Sequence, residues 1–165
     1  MRFIVVGPDG SGKTTFSKWF AEKYGLEYVG CTYREPNKYI RTIKLLNKDN
    51  IVYDRLYLPD HLVYSCLKNE KLSPEELGAW VGLINSLKDF GNVIILYVDA
   101  PDEVLKERLN TRGDEYVKFE EIKEIRKIYR KVLPELKVPI IRIESLDGKY
   151  KIRGFDIWWR GDWIC

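Results

Sequence analysis

Residues 7–14 read Gly7-Pro8-Asp9-Gly10-Ser11-Gly12-Lys13-Thr14 and satisfy the spacing G-x-x-x-x-G-K-[ST]. Each residue type there has a chemical task. Glycines let successive backbone N–H groups curl around a phosphate, and the following helix N-terminus adds partial positive charge. Lys13 reaches the β- and γ-phosphates, and Thr14 offers a hydroxyl to Mg²⁺. Gly7, Gly10, Ser11, Gly12 and Thr15 complete the candidate cradle. A chance glycine-rich turn would not explain the Lys-Thr pair. The segment therefore predicts a site for a nucleoside triphosphate, with ATP and Mg²⁺ as the cofactors.

Two further sets of residues suit phosphate chemistry. Asp54-Arg55 closes a short apolar run at 51–53. That position is a carboxyl edge of a sheet, where open α/β folds place ligands. A hard carboxylate oxygen at Asp54 can hold Mg²⁺, and the planar fork of Arg55 suits a phosphate. Arg108 and Arg112 are four apart, hence on one helical face. Arginines closing over a transferring phosphoryl group stabilise its spreading charge, and the glycine loop supplies none itself. Arg126 and Arg130 repeat the spacing, where a solvated basic face is the preferred reading. Tyr64 could stack on a base or fill the core, and the lone histidine, His61, is read as structural.

These residues need a frame. The chain has 165 residues, the size of one compact domain over 1–165, with no linker or internal repeat. Hydrophobic residues at 45% and charged residues at 32% exclude a disordered chain. Apolar runs at 3–6, 26–29, 51–53, 93–98 and 139–143 read as strands, with helical periods between them. The fold class is therefore α/β, a parallel five-stranded sheet flanked by helices. Ser73-Pro74-Glu75-Glu76 predicts a capped helix start, with Leu77, Trp80, Val81, Ile84 and Leu87 as its inner face. From Lys13, another helix presents Phe16, Trp19, Phe20 and Tyr24. No run reaches the ~20 residues of a membrane span, so no membrane partner is expected. Met1-Arg2-Phe3-Ile4 runs straight into the loop and is no signal peptide, and three cysteines lack metal spacing. A cytoplasmic location follows as an expectation. Net charge +3 suits a small anionic substrate and does not call for nucleic acid.

Taken in order, four stretches resemble the thymidylate kinase family, within the P-loop nucleoside and nucleoside-monophosphate kinases. They are the Asp-Gly-x-Gly-Lys form of the loop, Arg34-Glu35-Pro36, Asp54-Arg55, and 96–104 leading through Glu107-Arg108-Leu109 to Arg112-Gly113. The resemblance implies a P-loop nucleotide-kinase fold with a lid at about 108–118. It implies transfer of the γ-phosphoryl of ATP to a deoxynucleoside monophosphate, dTMP to dTDP. Asp9, Arg34, Glu35, Arg55 and Tyr64 would then meet the acceptor, and Lys13, Asp54, Arg108 and Arg112 would serve the transfer. After Asp54-Arg55 the family places small polar residues and a glutamine, whereas this chain has Leu58-Pro59-Asp60-His61-Leu62-Val63-Tyr64-Ser65.

Two other readings stay open. Deoxynucleoside kinases resemble this family and use the glutamate of a Glu-Pro pair as general base. Arg34 before Glu35, and aspartate rather than glutamate before Arg55, favour the monophosphate acceptor. A nucleotide-gated module without chemistry is disfavoured by the intact Lys13, Thr14, Asp54 and Arg55. The tail at 149–165 carries Trp158, Trp159 and Trp163. It could cap the core, cover the adenine or bury the surface of a homodimer. Residues 145–148 are read as a loop against the adenine.

Overall fold

A computed structural model describes residues 1–30, 40, 44, 47–90, 92–112 and 118–156. The elements, in chain order, are β1 (Arg2–Val6), α1 (Lys13–Tyr24), β2 (Glu27–Gly30), β3 (Ile51–Asp54), α2 (Tyr57–Leu67), α3 (Pro74–Phe90), β4 (Val93–Asp99) and α4 (Asp102–Arg112). A 3₁₀ turn (Phe119–Glu121) leads into α5 (Ile122–Val132), a second one (Leu133–Leu136) follows, and β5 (Ile140–Leu146) and β6 (Lys149–Asp156) come last.

The sheet order is β2-β3-β1-β4-β5-β6. The first five strands pair in parallel. Ile4, Val5, Val6, Ile51, Val52 and Tyr53 have no exposed surface. Strands covered on both faces need apolar side chains at every position, which is why they stand out in the sequence as unbroken runs.

A sixth strand corrects the five-stranded expectation. β6 pairs antiparallel with β5 from Leu146↔Lys149 to Ile140↔Asp156. Asp147 and Gly148 both have positive φ, 43° and 76°. Two such residues between antiparallel strands make the tight hairpin turn that Asp-Gly favours. Residues 145–148 are thus the end of β5 and its turn, and 149–156 is an edge strand rather than tail. Lys149-Tyr150-Lys151-Ile152-Arg153 alternates charged with apolar side chains, of which Tyr150 packs against Phe16 and Ile152 is exposed.

Two helical layers cover the sheet. The larger core lies under α2 to α5, the smaller under α1. The capping box of α3 forms as expected, with Ser73 N donating to Glu76 Oε2 at 2.7 Å and Glu76 N to Ser73 Oγ at 3.2 Å. Its inner face is rotated from the expected one. Leu83 and Leu87 are buried, whereas Leu77 and Val81 are half exposed. At about 100° per residue, Val81 sits far round the helix from the Leu83–Leu87 line. On α1 the buried positions are Lys13, Phe16, Ser17 and Ala21. Small side chains at 17 and 21 let the helix lie close to the sheet. Trp19 and Tyr24 turn outward, and Trp19 meets Tyr150 of β6 at 4.8 Å between ring centroids. Among the described residues no helix is long and apolar enough to cross a membrane.

Candidate phosphoryl-transfer site

β1 lies between β3 and β4, so the loop leaving it is flanked by the carboxyl ends of both. Its conformation demands the glycines. A Cβ on Gly7 (φ 147°) would lie 2.0 Å from the carbonyl oxygen of Val98, and Gly10 and Gly12 are left-handed at 76° and 84°. Gly12 caps α1, whose first turn carries Lys13 and the exposed Thr14 and Thr15.

Lys13 Nζ donates to the carbonyls of Gly7 and Pro8 at 2.6 Å each and lies 3.9 Å from Asp9 Oδ1. Burial and then the neighbouring Arg55 lower its pKa to about 8, against partial compensation from Asp9, Asp60 and Asp54. The ammonium is thus short of negative partners. An anion delivered to the loop would supply them.

Arg55 closes β3 in a left-handed conformation (φ 68°), which costs a non-glycine residue about 1–2 kcal/mol. Its N–H donates to Val5 O at 3.1 Å. The guanidinium is held from two sides, by Asp9 Oδ1 at 3.0 Å and by Asp60 Oδ2 at 4.0 Å, yet the side chain stays 40% exposed. Tyr64 donates to the other oxygen of Asp9 at 2.5 Å. Burial alone would raise the Asp9 carboxyl, but Lys13, Arg55 and the Tyr64 hydroxyl outweigh it and hold it below the ordinary range. Tyr64 packs against the larger core, and its hydroxyl also fixes the loop carboxylate.

Asp54 is buried, accepts a hydrogen bond from the Tyr28 hydroxyl at 3.0 Å on Oδ2, and keeps Oδ1 unpartnered among the described residues. A buried, orphaned carboxylate oxygen beside a phosphate loop has the chemistry of a hard-cation ligand. Among the described residues no three or more His, Cys, Asp or Glu are placed together so as to hold a metal ion by themselves. Asp54 with the Thr14 hydroxyl fits a Mg²⁺ that takes one or two protein oxygens and shares the rest with phosphates.

Arg108 reaches the loop from α4 and donates to Gly10 O at 3.2 Å. A Cβ on Gly12 would meet its Nη1 at 3.4 Å and Ser145 Oγ at 3.1 Å. Arg112 ends the same helix, one turn on. Its side chain, residues 113–117 of the expected lid, Arg34, Glu35 and the three tail tryptophans lie outside the described residues. Arg126 is engaged in the frame, on Asp99 and Asp102. His61 pairs with Glu76 at 2.6 Å and stacks on Tyr57, the structural role expected of it.

Three residues of this neighbourhood were not singled out from the sequence. They are Tyr28, Asp60 and Tyr129. The Tyr129 hydroxyl donates to Asp60 Oδ1 at 2.7 Å and lies 3.2 Å from Gly7 O. Burial raises the Asp60 carboxyl, against the pull of Arg55, Lys13 and Tyr129. An aspartate between Pro59 and the apolar stretch after it was the one available signal.

No family model matches the chain. Two curated relatives are nucleotide kinases. The cytidylate kinase 2 of Borreliella afzelii is 29% identical over 119 residues, 68% of this chain and 62% of that protein. An adenylate kinase of Kosmotoga olearia is 31% identical over 128 residues, 68% of this chain and 59% of that protein. The chain thus spans about three fifths of the length of these relatives. Among solved structures, YorR of Bacillus subtilis, in complex with phosphorylated GDP, superposes with a TM-score of 0.65 at 23% identity, covering 90% of this chain and 87% of that one. A deoxyadenosine kinase from M. mycoides, bound to dCMP and dCDP, gives 0.54 at 19%, covering 90% and 93%. The fold is that of the P-loop kinases. The kinases named here are a cytidylate, an adenylate and a deoxyadenosine kinase, so the resemblance holds at the level of nucleotide and nucleoside kinases and not at that of thymidylate kinase.

Proposed function

We propose that this chain transfers the γ-phosphoryl group of ATP to the phosphate of a deoxynucleoside monophosphate. The observation that carries the reading is Arg55, held in a strained backbone conformation between two carboxylates with its guanidinium still partly open. A group held so can exchange a carboxylate for the oxygens of an acceptor phosphate without moving its backbone. Lys13 and the loop N–H groups take the donor's β- and γ-phosphates, and Arg108 faces the charge that spreads during transfer, a role proposed for Arg112 as well. Asp54 and Thr14 would hold Mg²⁺, which neutralises phosphate oxygens when bound. Asp9, fixed by Arg55 and Tyr64, would meet the acceptor's sugar and phosphate, as the resemblance implies.

An acceptor that already carries ionised oxygens needs no general base, so Glu35 is not required to take a proton. Among acceptors dTMP stands first, on Arg34-Glu35-Pro36 and Asp54-Arg55, and the names of the relatives make dCMP and dAMP its proper competitors. The test is ADP release from ATP across nucleosides and their monophosphates. Acceptor-dependent ADP with monophosphates supports the reading. Turnover confined to nucleosides, and abolished in Glu35→Gln, would replace it with a nucleoside kinase. No acceptor-dependent ADP at all would leave a nucleotide-binding module.

A further inference from the structure

Arg126, outside the site, makes four side-chain hydrogen bonds. Nε and Nη2 donate to the two oxygens of Asp99 at 2.8 and 3.0 Å, Nη1 to Asp102 Oδ1 at 2.6 Å, and Nη2 also to Ala100 O at 2.9 Å. Its three acceptors are the last residue of β4, the first of the two connecting residues and the first residue of α4. One planar fork on α5 thus grips both ends of the joint from which α4 springs. Asp99 adds a bond from its own Oδ1 to Ala100 N at 2.8 Å, so the joint is closed on itself as well.

α4 lies directly on the glycine loop. A side chain at Gly10 would meet Leu109 at 3.3 Å and Leu105 at 3.5 Å, and Arg108 donates to the Gly10 carbonyl. The angle at which α4 leaves β4 therefore fixes how far the Arg108 guanidinium stands from the loop. Leu105 is three residues beyond the last acceptor that Arg126 holds, and Arg108 one turn further. A small rotation at the joint moves Arg108 by more than the joint itself moves.

We infer that Arg126 is a positioning residue, which sets the placement of α4 and through it the reach of Arg108 over the phosphate loop. The role rests, for its activity arm, on the phosphoryl transfer proposed above. Arg126 touches neither the loop nor the Lys13–Asp54 group in this arrangement, so it acts only through Arg108. A merely structural Arg126 would stabilise the fold without favouring one step of turnover.

The test compares wild type, Arg126→Gln, Arg108→Ala and the double variant, with Asp102→Asn as a milder change that keeps the acceptor and removes the charge from one of the four bonds. Amide hydrogen exchange of 102–112 should accelerate about tenfold or more in Arg126→Gln, less in Asp102→Asn, while the strands β1, β3 and β4 keep their protection. Steady-state turnover should fall about tenfold in kcat with KM for ATP within about twofold, and the double variant should match Arg108→Ala within about twofold. Unchanged exchange in α4 overturns the inference whatever the enzyme does. So does a double variant whose loss is the product of the two single losses. Faster α4 exchange in a protein that turns over no acceptor would uphold the joint and sink the kinase reading instead.

Discussion

The proton on Lys13 links nucleotide affinity and folding stability to pH in opposite directions. Its pKa of about 8 in the folded chain lies well below the ordinary 10.5. Only the ammonium form can bond phosphate oxygens, so apparent affinity scales with the protonated fraction. With a pKa of about 8, that fraction falls from roughly three quarters at pH 7.5 to roughly 3% at pH 9.5, and the Kd for Mg-ATP should rise about 25-fold. At pH 9 binding should take up about 0.9 proton, read calorimetrically in two buffers of different ionisation enthalpy. Lys13→Arg keeps its charge throughout and should bind with a flat profile. Stability moves the other way. Below pH 8 both folded and unfolded chains hold the proton and the folded chain bears the whole burial cost. Above 10.5 neither holds it, so stability rises across that window, by about 3 kcal/mol for the 10.5-to-8 gap. Subtracting the denaturation midpoints of Lys13→Met from wild type isolates this rise. Affinity constant within about twofold from pH 7.5 to 9.5, with no buffer-dependent heat, would show that Lys13 does not carry the phosphate.

Three further outcomes are expected. Arg55→Ala should raise KM for the acceptor about ten- to a hundredfold, since a charged hydrogen bond contributes about 1.5–3 kcal/mol, and leave the ATP affinity within about threefold; initial-rate ADP release decides, and a loss confined to ATP affinity would reassign the residue. Tyr28→Phe leaves the second oxygen of Asp54 without the Tyr28 hydroxyl and should raise the half-saturating Mg²⁺ about tenfold, as read from a Mg²⁺ titration of turnover, while destabilising the fold by about 1–3 kcal/mol. Gly7→Ala would force a Cβ to within 2.0 Å of the Val98 carbonyl and should destabilise by on the order of 3 kcal/mol in denaturant, whereas Gly78→Ala, with open space around it inside α3, should stabilise by about 0.5–1 kcal/mol.

What the sequence exposes and what it hides follow from the range of the interactions. The glycine loop is legible because its requirements are local, positive φ at Gly10 and Gly12 and a lysine one residue on. The three central strands are legible because the sheet buries them and leaves unbroken apolar runs at 3–6, 51–53 and 93–98. β6 escapes this logic, since an edge strand half open to water can alternate Lys and Tyr as a tail might, and only Asp147-Gly148 betrays it. The polar wiring of the site escapes more completely. Tyr129 meets Gly7 across 122 positions and Asp60 across 69, and Tyr28 meets Asp54 across 26. At that separation a tyrosine in a helical stripe looks the same whether its hydroxyl reaches solvent or a buried carboxylate. Arg126 shows the converse. Four residues from Arg130, it copies the spacing of Arg108 and Arg112, yet the fold directs its fork to the root of α4. Spacing along a helix fixes which side chains share a face, and only the packing of that face decides whether the shared charge meets a substrate or another helix. The pairs that remain readable as function are those, like Asp54-Arg55, whose position at a strand's carboxyl end leaves the packing little choice.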